Sequence, residues 1–156
     1  MRSYNDQPAG LALKTADITR GAERLFHSLG FATLVEFSLG SGRRVDIAGL
    51  ERGGKLVFAE VKASASDFRG DRKWPDYLDY CDALYFAVAV DFPLELLEQP
   101  AALPERSGVI VADRYGGSIL RQATFTSINP TRRRAETLRF ARRAAARLNR
   151  VLMAPI

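Results

Sequence analysis

The chain reads as an α/β protein in which a mixed sheet is flanked by helices. Three observations carry that expectation. Apolar residues recur at helical spacing near both ends of the sequence. Between them lie short runs of strand type, bounded by Gly40-Ser41-Gly42, Gly53-Gly54 and Tyr115-Gly116-Gly117. The order of helix, three-strand meander, helix, strand, hairpin and helix then layers helices on a sheet.

Each element follows from its residues. Met1 to Lys14 carries no clear period, so residues 1–14 read as a loose segment and 15–156 as one domain. The first helix is expected over Thr15 to Leu29, with Ile18, Ala22, Leu25, Phe26 and Leu29 on one face and Gly30 as the stop. Strands follow over Phe31 to Leu39, Arg44 to Leu50 and Leu56 to Lys62. Trp74, Tyr77, Leu78 and Cys81 match a helix packed on an apolar surface. Ala83 to Val90 is a buried-strand run, and Ser107 to Ala112 and Ser118 to Ala123 form a hairpin. A closing helix from about Pro130 to Leu148 is expected to turn Leu138, Ala141, Ala145 and Leu148 inward and its arginines outward.

Composition sets the boundaries for function. The 156 residues are 47% hydrophobic and 26% charged, a globular profile with enough chain for a core. A single cysteine rules out an internal disulfide, and the polar N-terminus lacks the apolar stretch of a secretion signal. No run reaches the roughly 20 apolar residues that a bilayer requires. The expected location is the cytoplasm, without membrane contact. A net charge of +5 points to a polyanionic partner. The charge is concentrated in Arg132, Arg133, Arg134, Arg139, Arg142, Arg143, Arg147 and Arg150, with only Glu136 to offset it locally. Of these, Arg132, Arg133, Arg134, Arg139, Arg142 and Arg143, together with Lys73, are the candidates for contact with a phosphate backbone.

The chemistry concentrates between Asp46 and Lys62. Side chains alternate along a strand, so Glu60 and Lys62 share a face. A hairpin centred near Gly53 sets Asp46 opposite Glu60. The same reasoning around Ser41 brings Glu36 near Asp46. Clustered carboxylates repel one another and favour a cation, and oxygen ligands without histidine or thiolate suit Mg²⁺ or Mn²⁺. A lysine beside such an ion can hold a water or stabilise a pentavalent phosphate, which makes these the parts of a phosphodiester hydrolase. Asp46, Glu60, Lys62 and Glu36 are therefore the candidate catalytic residues.

The remaining candidates read as structural. His27 flanks an inward helix face, and Cys81 ends an apolar stripe. Trp74 and Tyr77 read as core, with stacking of Trp74 on a base the less favoured role. One histidine and one cysteine exclude zinc sites and nucleophilic triads, and Gly53-Gly54 is a turn rather than a phosphate-cradling loop.

Asp46 followed by Glu60-x-Lys62 resembles the signature of the PD-(D/E)xK nuclease superfamily. The stretch Ala22-Glu23-Arg24-Leu25 with Gly30-Phe31 is similar to the first helix of archaeal-type Holliday-junction resolvases in that superfamily. More extensively, Arg43 to Ile47, Glu60 to Ser64, Asp67-Phe68-Arg69, Asp71 to Tyr77, Cys81-Asp82, Tyr85 to Val88 and Val111 to Gly116 resemble the MmcB family of bacterial DNA repair proteins. The resemblance implies a restriction-endonuclease-like core and a metal-dependent DNA endonuclease working in repair. It also implies a metal held by Asp46, Glu60 and the Val61 carbonyl, with Glu23 as a further ligand. Val45 stands where the superfamily's name has proline. A catalytically silent or partner-dependent DNA-binding accessory is the alternative. Cutting both strands would require a homodimer, and repair proteins are expected partners of the accessory form.

Overall fold

The computed structural model describes residues 6–155, with side chains from residue 10 onward. Helix α1 spans Asp6–Ser28 and leads into β1 (Phe31–Ser38), β2 (Arg44–Glu51) and β3 (Leu56–Lys62). A short α2 (Ala65–Gly70) and a 3₁₀ helix (Trp74–Tyr80) connect to β4 (Ala83–Val88). Two further 3₁₀ turns, Leu94–Glu98 and Pro100–Ala102, precede β5 (Gly108–Asp113), β6 (Gly116–Arg121) and the closing α3 (Pro130–Leu152).

The six strands lie in sequence order in one sheet. β1, β2 and β3 run antiparallel, β3, β4 and β5 run parallel, and β6 returns antiparallel to β5. The sheet is mixed and flanked by helices, as expected. On one face Ile18, Ala22 and Phe26 of α1 meet Ile47, Val57, Ala59, Tyr85 and Ile110. On the other, Phe58, Leu84 and Phe86 meet Phe68, Trp74 and Phe140. β3 and β4 are buried along their whole length, so both faces are apolar up to the point where Glu60 and Lys62 appear. Gly21 brings α1 against the β5–β6 turn: a Cβ there would sit 1.9 Å from the Asp113 carbonyl oxygen.

Four expectations are corrected. Residues 6–14 belong to α1 rather than to a loose segment, with Pro8 in the first turn, where a missing N–H costs nothing. The part of that segment before Asp6 lies outside the described residues. Leu29, expected inward, is half exposed. The Trp74 segment is 3₁₀ rather than α, because Pro75 starts it and the Trp74–Tyr77 spacing aligns on a three-residue turn.

The largest difference concerns α3. Its inward face carries Glu136 and Phe140, with Arg133 and Ala144 half-buried beside them. Leu138 and Leu148 are 54% and 57% exposed, and Ala141 and Ala145 lie on the outside with them. Arg133 is thus an internal clamp rather than a free outward cation. Its guanidinium grips both oxygens of buried Asp82 and donates to the Gly54 carbonyl at 2.7 Å. Asp82 also accepts from the Leu56 and Ile128 amides at 2.8 and 3.1 Å, tying α3 to the start of β3.

Burial opposes charge on Asp82, but the Arg133 hydrogen bond and the two amides hold its carboxyl below the usual range. A depressed acid contributes stability above about pH 4, lost as pH falls through its folded value. Asp82→Ala should cost about 1–3 kcal/mol in urea unfolding at pH 7, because it leaves the half-buried Arg133 guanidinium and the Leu56 and Ile128 amides without their acceptor. The difference from wild type should shrink in acid below that range.

Candidate active site

The β2–β3 ladder runs from Leu50–Leu56 to Ile47–Ala59 and ends there. One residue further the strands are joined by side chains. The Asp46 amide donates to Glu60 Oε1 at 3.0 Å, and the Val61 amide donates to Asp46 Oδ2 at 2.8 Å. β3 meanwhile keeps pairing with β4 up to Lys62–Val88. The observed hairpin register places Asp46 opposite Glu60, as the turn at Gly53 implies. Two carboxylates therefore sit at the mouth of a splayed strand pair, Glu60 buried and Asp46 half-buried.

Lys62 follows on the same side of β3 as Glu60. Its ammonium is 4.0 Å from Glu60 Oε2 and 2.6 Å from Asp71 Oδ2, and the side chain is only 4% exposed. Asp71 caps the end of α2 and also accepts from the Lys73 and Trp74 amides at 2.9 and 3.2 Å. Burial works against its charge, yet the Lys62 ammonium and those amides hold it below the usual range. Sequence reasoning gave Asp71 no role. The available signal was an aspartate two and three residues ahead of free amides at a helix start, an Asx-type arrangement.

Electrostatically the pair is under tension. Burial, then repulsion from Asp46, pushes Glu60 up to about 8. Burial likewise raises Asp46, despite the Val61 amide and Lys62. A raised acid stabilises the fold fully below its unfolded value near 4.5 and loses that contribution as pH rises through about 8. In chelator, the melting temperature should therefore fall between pH 6 and pH 9, and Mn²⁺ should restore it most at the alkaline end. Thermal melts across that range with Glu60→Gln as control check this: the variant should lack the alkaline loss.

The other expected acids lie along the groove beside Asp46. Glu36 has a left-handed backbone (φ 51°). Val35 packs on the α1 side of the sheet and Phe37 on the opposite side, so β1 exchanges faces at Glu36. Its carboxylate is exposed, 3.9 Å from Arg44. Glu23 accepts a hydrogen bond from Thr33 Oγ1 at 2.6 Å, and Thr33 in turn meets His27 at 2.8 Å. Glu23, Glu36 and Asp46 line one groove of about 630 Å³ between α1 and β1. Among the described residues no three acids, histidines or cysteines converge as a metal cage. Glu36 and Glu23 border the same groove as Asp46, and the register on either side of Glu36 sets it across from Asp46, as the turn at Ser41 implies.

Two carboxylates still fit the expected ion. Mg²⁺ keeps several waters and commonly takes one or two protein carboxylates plus phosphate oxygens. The buried, mutually repelling pair supplies such a donor set, and Val61 lies between Glu60 and Lys62 to add a carbonyl.

Trp74 is buried edge-on against Phe86, and the Tyr77 hydroxyl donates to the Arg44 carbonyl, so both are core. Cys81 is buried, and burial raises its thiol pKa. Lys73 is exposed beside the site. Arg134, Arg139, Arg142 and Arg143 are exposed on α3, while Arg132 is half-buried over the Tyr80 ring. Arg139, Arg142 and Arg143 share a recess with Ser38 at the end of β1. Arg147 reaches the Glu36 carbonyl at 3.1 Å, so the basic helix runs beside the strand that borders the acidic groove.

Fold and site define a mixed-sheet α/β protein with two buried carboxylates and a lysine where its first antiparallel and parallel strand pairs meet. The chain belongs to the DNA repair protein MmcB-like family, whose model matches residues 5–154. A solved protein of unknown function from Silicibacter pomeroyi, SPO1766, is similar at 36% identity with a TM-score of 0.82, covering 90% of this chain and 92% of that one. A repair endonuclease from Pyrococcus abyssi aligns at 21% identity and a TM-score of 0.35, over 63% of this chain and 45% of that one. No curated protein matches the sequence. No helix among the described residues is long and apolar enough to cross a membrane.

Proposed function

We propose that this protein is a Mg²⁺- or Mn²⁺-dependent deoxyribonuclease of restriction-endonuclease-like design, acting in DNA repair. The observation that carries the reading is the Asp46–Glu60 pair, Glu60 buried and Asp46 half-buried, each cross-linked to the backbone, with Lys62 one step along the same strand face. Asp46, Glu60 and the Val61 carbonyl would hold the ion. When bound, it neutralises a phosphate oxygen and acidifies a water.

The chain's own groups do the rest. The amides of Asp46 and Val61 fix one oxygen of each carboxylate, so the free oxygens are held without reorganisation. Lys62, on a buried strand, presents its ammonium at a fixed point to steady the attacking water and the charge gathering on the phosphate. Asp71 keeps that ammonium in place. Arg139, Arg142 and Arg143, with Lys73, would hold the DNA backbone without reading its sequence.

A second reading, a DNA-binding accessory whose catalysis is silent or depends on a partner, draws on one observation. Lys62 is engaged by Asp71 at 2.6 Å. Labelled duplex, nicked, flap, junction and single-stranded DNA, incubated with Mg²⁺, Mn²⁺ or chelator, separate the two. Metal-dependent cutting of any member supports the nuclease; intact DNA throughout, with binding retained, supports the accessory.

A further inference from the structure

We propose that the cavity between α1 and the β5–β6 turn receives an unpaired nucleobase next to the position of cutting, so that the substrate is DNA with an unstacked nucleotide and not a perfect duplex. The inference rests on the DNA-directed reading above. The cavity holds about 690 Å³, a size that accommodates a small molecule. It opens at the same end of the sheet as Glu60 and Lys62. Lys62 pairs with Val88 and Val88 with Val111, and Val111 lines the cavity together with Ala89 and Val90 just past β4. Neighbouring strands lie about 4.8 Å apart, which sets β5 about 10 Å from β3. Asp17 of α1 borders both this cavity and the groove of Glu23, Glu36 and Asp46, so the two recesses share one side chain. A DNA strand lying across the acidic site thus has a neighbouring base within reach of the cavity.

The lining selects a base over a phosphate. Ile18, Val111 and Ala112 give it an apolar wall. Its charged groups are largely engaged. Lys14 pairs with Asp91 at 2.8 Å, and Asp113 accepts from the Tyr115 and Gly116 amides at 2.8 and 3.1 Å. Half-buried Asp17 adds a carboxylate, which repels phosphate but accepts from the amine and imino N–H groups that bases carry.

Tyr115 supplies a stacking surface at the rim. It is 68% exposed although its main chain is fixed: Arg24 donates to its carbonyl at 3.2 Å, and Asp113 holds its amide. Arg114 lies over the ring, 4.8 Å from its centre. An exposed ring on a fixed backbone, with a guanidinium beside it, is the kind of platform on which the bases of a single strand stack. A base can reach it only after leaving the duplex stack. Unstacking costs least at a bulge, a mismatch or a single-stranded end, and the preference for such DNA follows from that difference.

Fluorescence anisotropy in chelator, which keeps the DNA intact, tests the proposal with three labelled DNAs: a perfect duplex, the same duplex with one bulged nucleotide, and that bulge with an abasic site in place of the base. Wild type should bind the bulged DNA about tenfold tighter than its abasic counterpart, the size of one stacking contact. Gly116 lines the cavity and a Cβ there meets nothing within 4 Å, so Gly116→Leu narrows the cavity without a clash. Tyr115→Ala and Gly116→Leu should each bring that ratio close to one. Their binding to perfect duplex should stay as in wild type, which shows that both variants fold. Equal wild-type affinity for bulged and abasic DNA, or a preference that survives both variants, would overturn the proposal. Neither result bears on the metal site, whereas a retained preference in a protein that cuts nothing would fail the nuclease reading alone.

Discussion

Lys62→Ala is expected to lose about 10²–10³-fold in DNA cleavage while still binding Mn²⁺ and DNA. The reason is positional. Lys62 ends a strand buried on both faces, and its ammonium is fixed by Asp71 at 2.6 Å and lies 4.0 Å from Glu60. A cation so placed has no alternative position, and Lys73 does not substitute for it, being exposed at the N-cap of the 3₁₀ helix. Single-turnover cleavage beside Mn²⁺ titration separates chemistry from binding. Asp71→Asn should give a smaller loss, because Lys62 keeps its charge but not its anchor. Equal losses in Mn²⁺ affinity and rate in Lys62→Ala would show that the lysine merely holds the pocket together.

Replacing Arg139, Arg142 and Arg143 together with alanine should weaken DNA binding about 10–100-fold at moderate salt. The slope of log affinity against log salt should flatten by about 3, since each lost phosphate contact removes roughly 0.9. All three side chains are exposed, and their recess borders Ser38 on β1. Any loss of stability should come from Arg139, which pairs with buried Glu136 at 3.6 Å, whereas replacement of Arg133 would break the Asp82 clamp. Fluorescence anisotropy at several salt concentrations reads both quantities. An unchanged slope would place the DNA elsewhere.

Much of the site was legible because strand register is a matter of parity and turn position. Gly53-Gly54 fixed the hairpin, alternation did the rest, and Asp46 falls opposite Glu60 as expected. Glu36 falls across from Asp46 as the turn at Ser41 implies, whereas its left-handed backbone, with the carboxylate left exposed, is something no residue type announces. The inward face of α3 was misread for a different reason. Counting apolar residues favours the Leu138 stripe, but the helix is oriented by Arg133 on Asp82, by Glu136 accepting from the Gly40 amide and by Phe140 against Phe37. Long-range ion pairs decide between two amphipathic faces, and one helix's periodicity contains no record of them. Asp71 was missed similarly, since its partner Lys62 lies across an intervening α2.

Asp46 and Glu60 are expected to form one divalent-cation site. Calorimetric titration of the wild-type protein with Mn²⁺ at pH 7, in buffers of different ionisation enthalpy, addresses it most directly. Glu60 is held near 8, so binding should release about one proton per ion, and both binding and release should be lost in Asp46→Asn. No heat up to millimolar Mn²⁺, or binding that persists in Asp46→Asn, would contradict it.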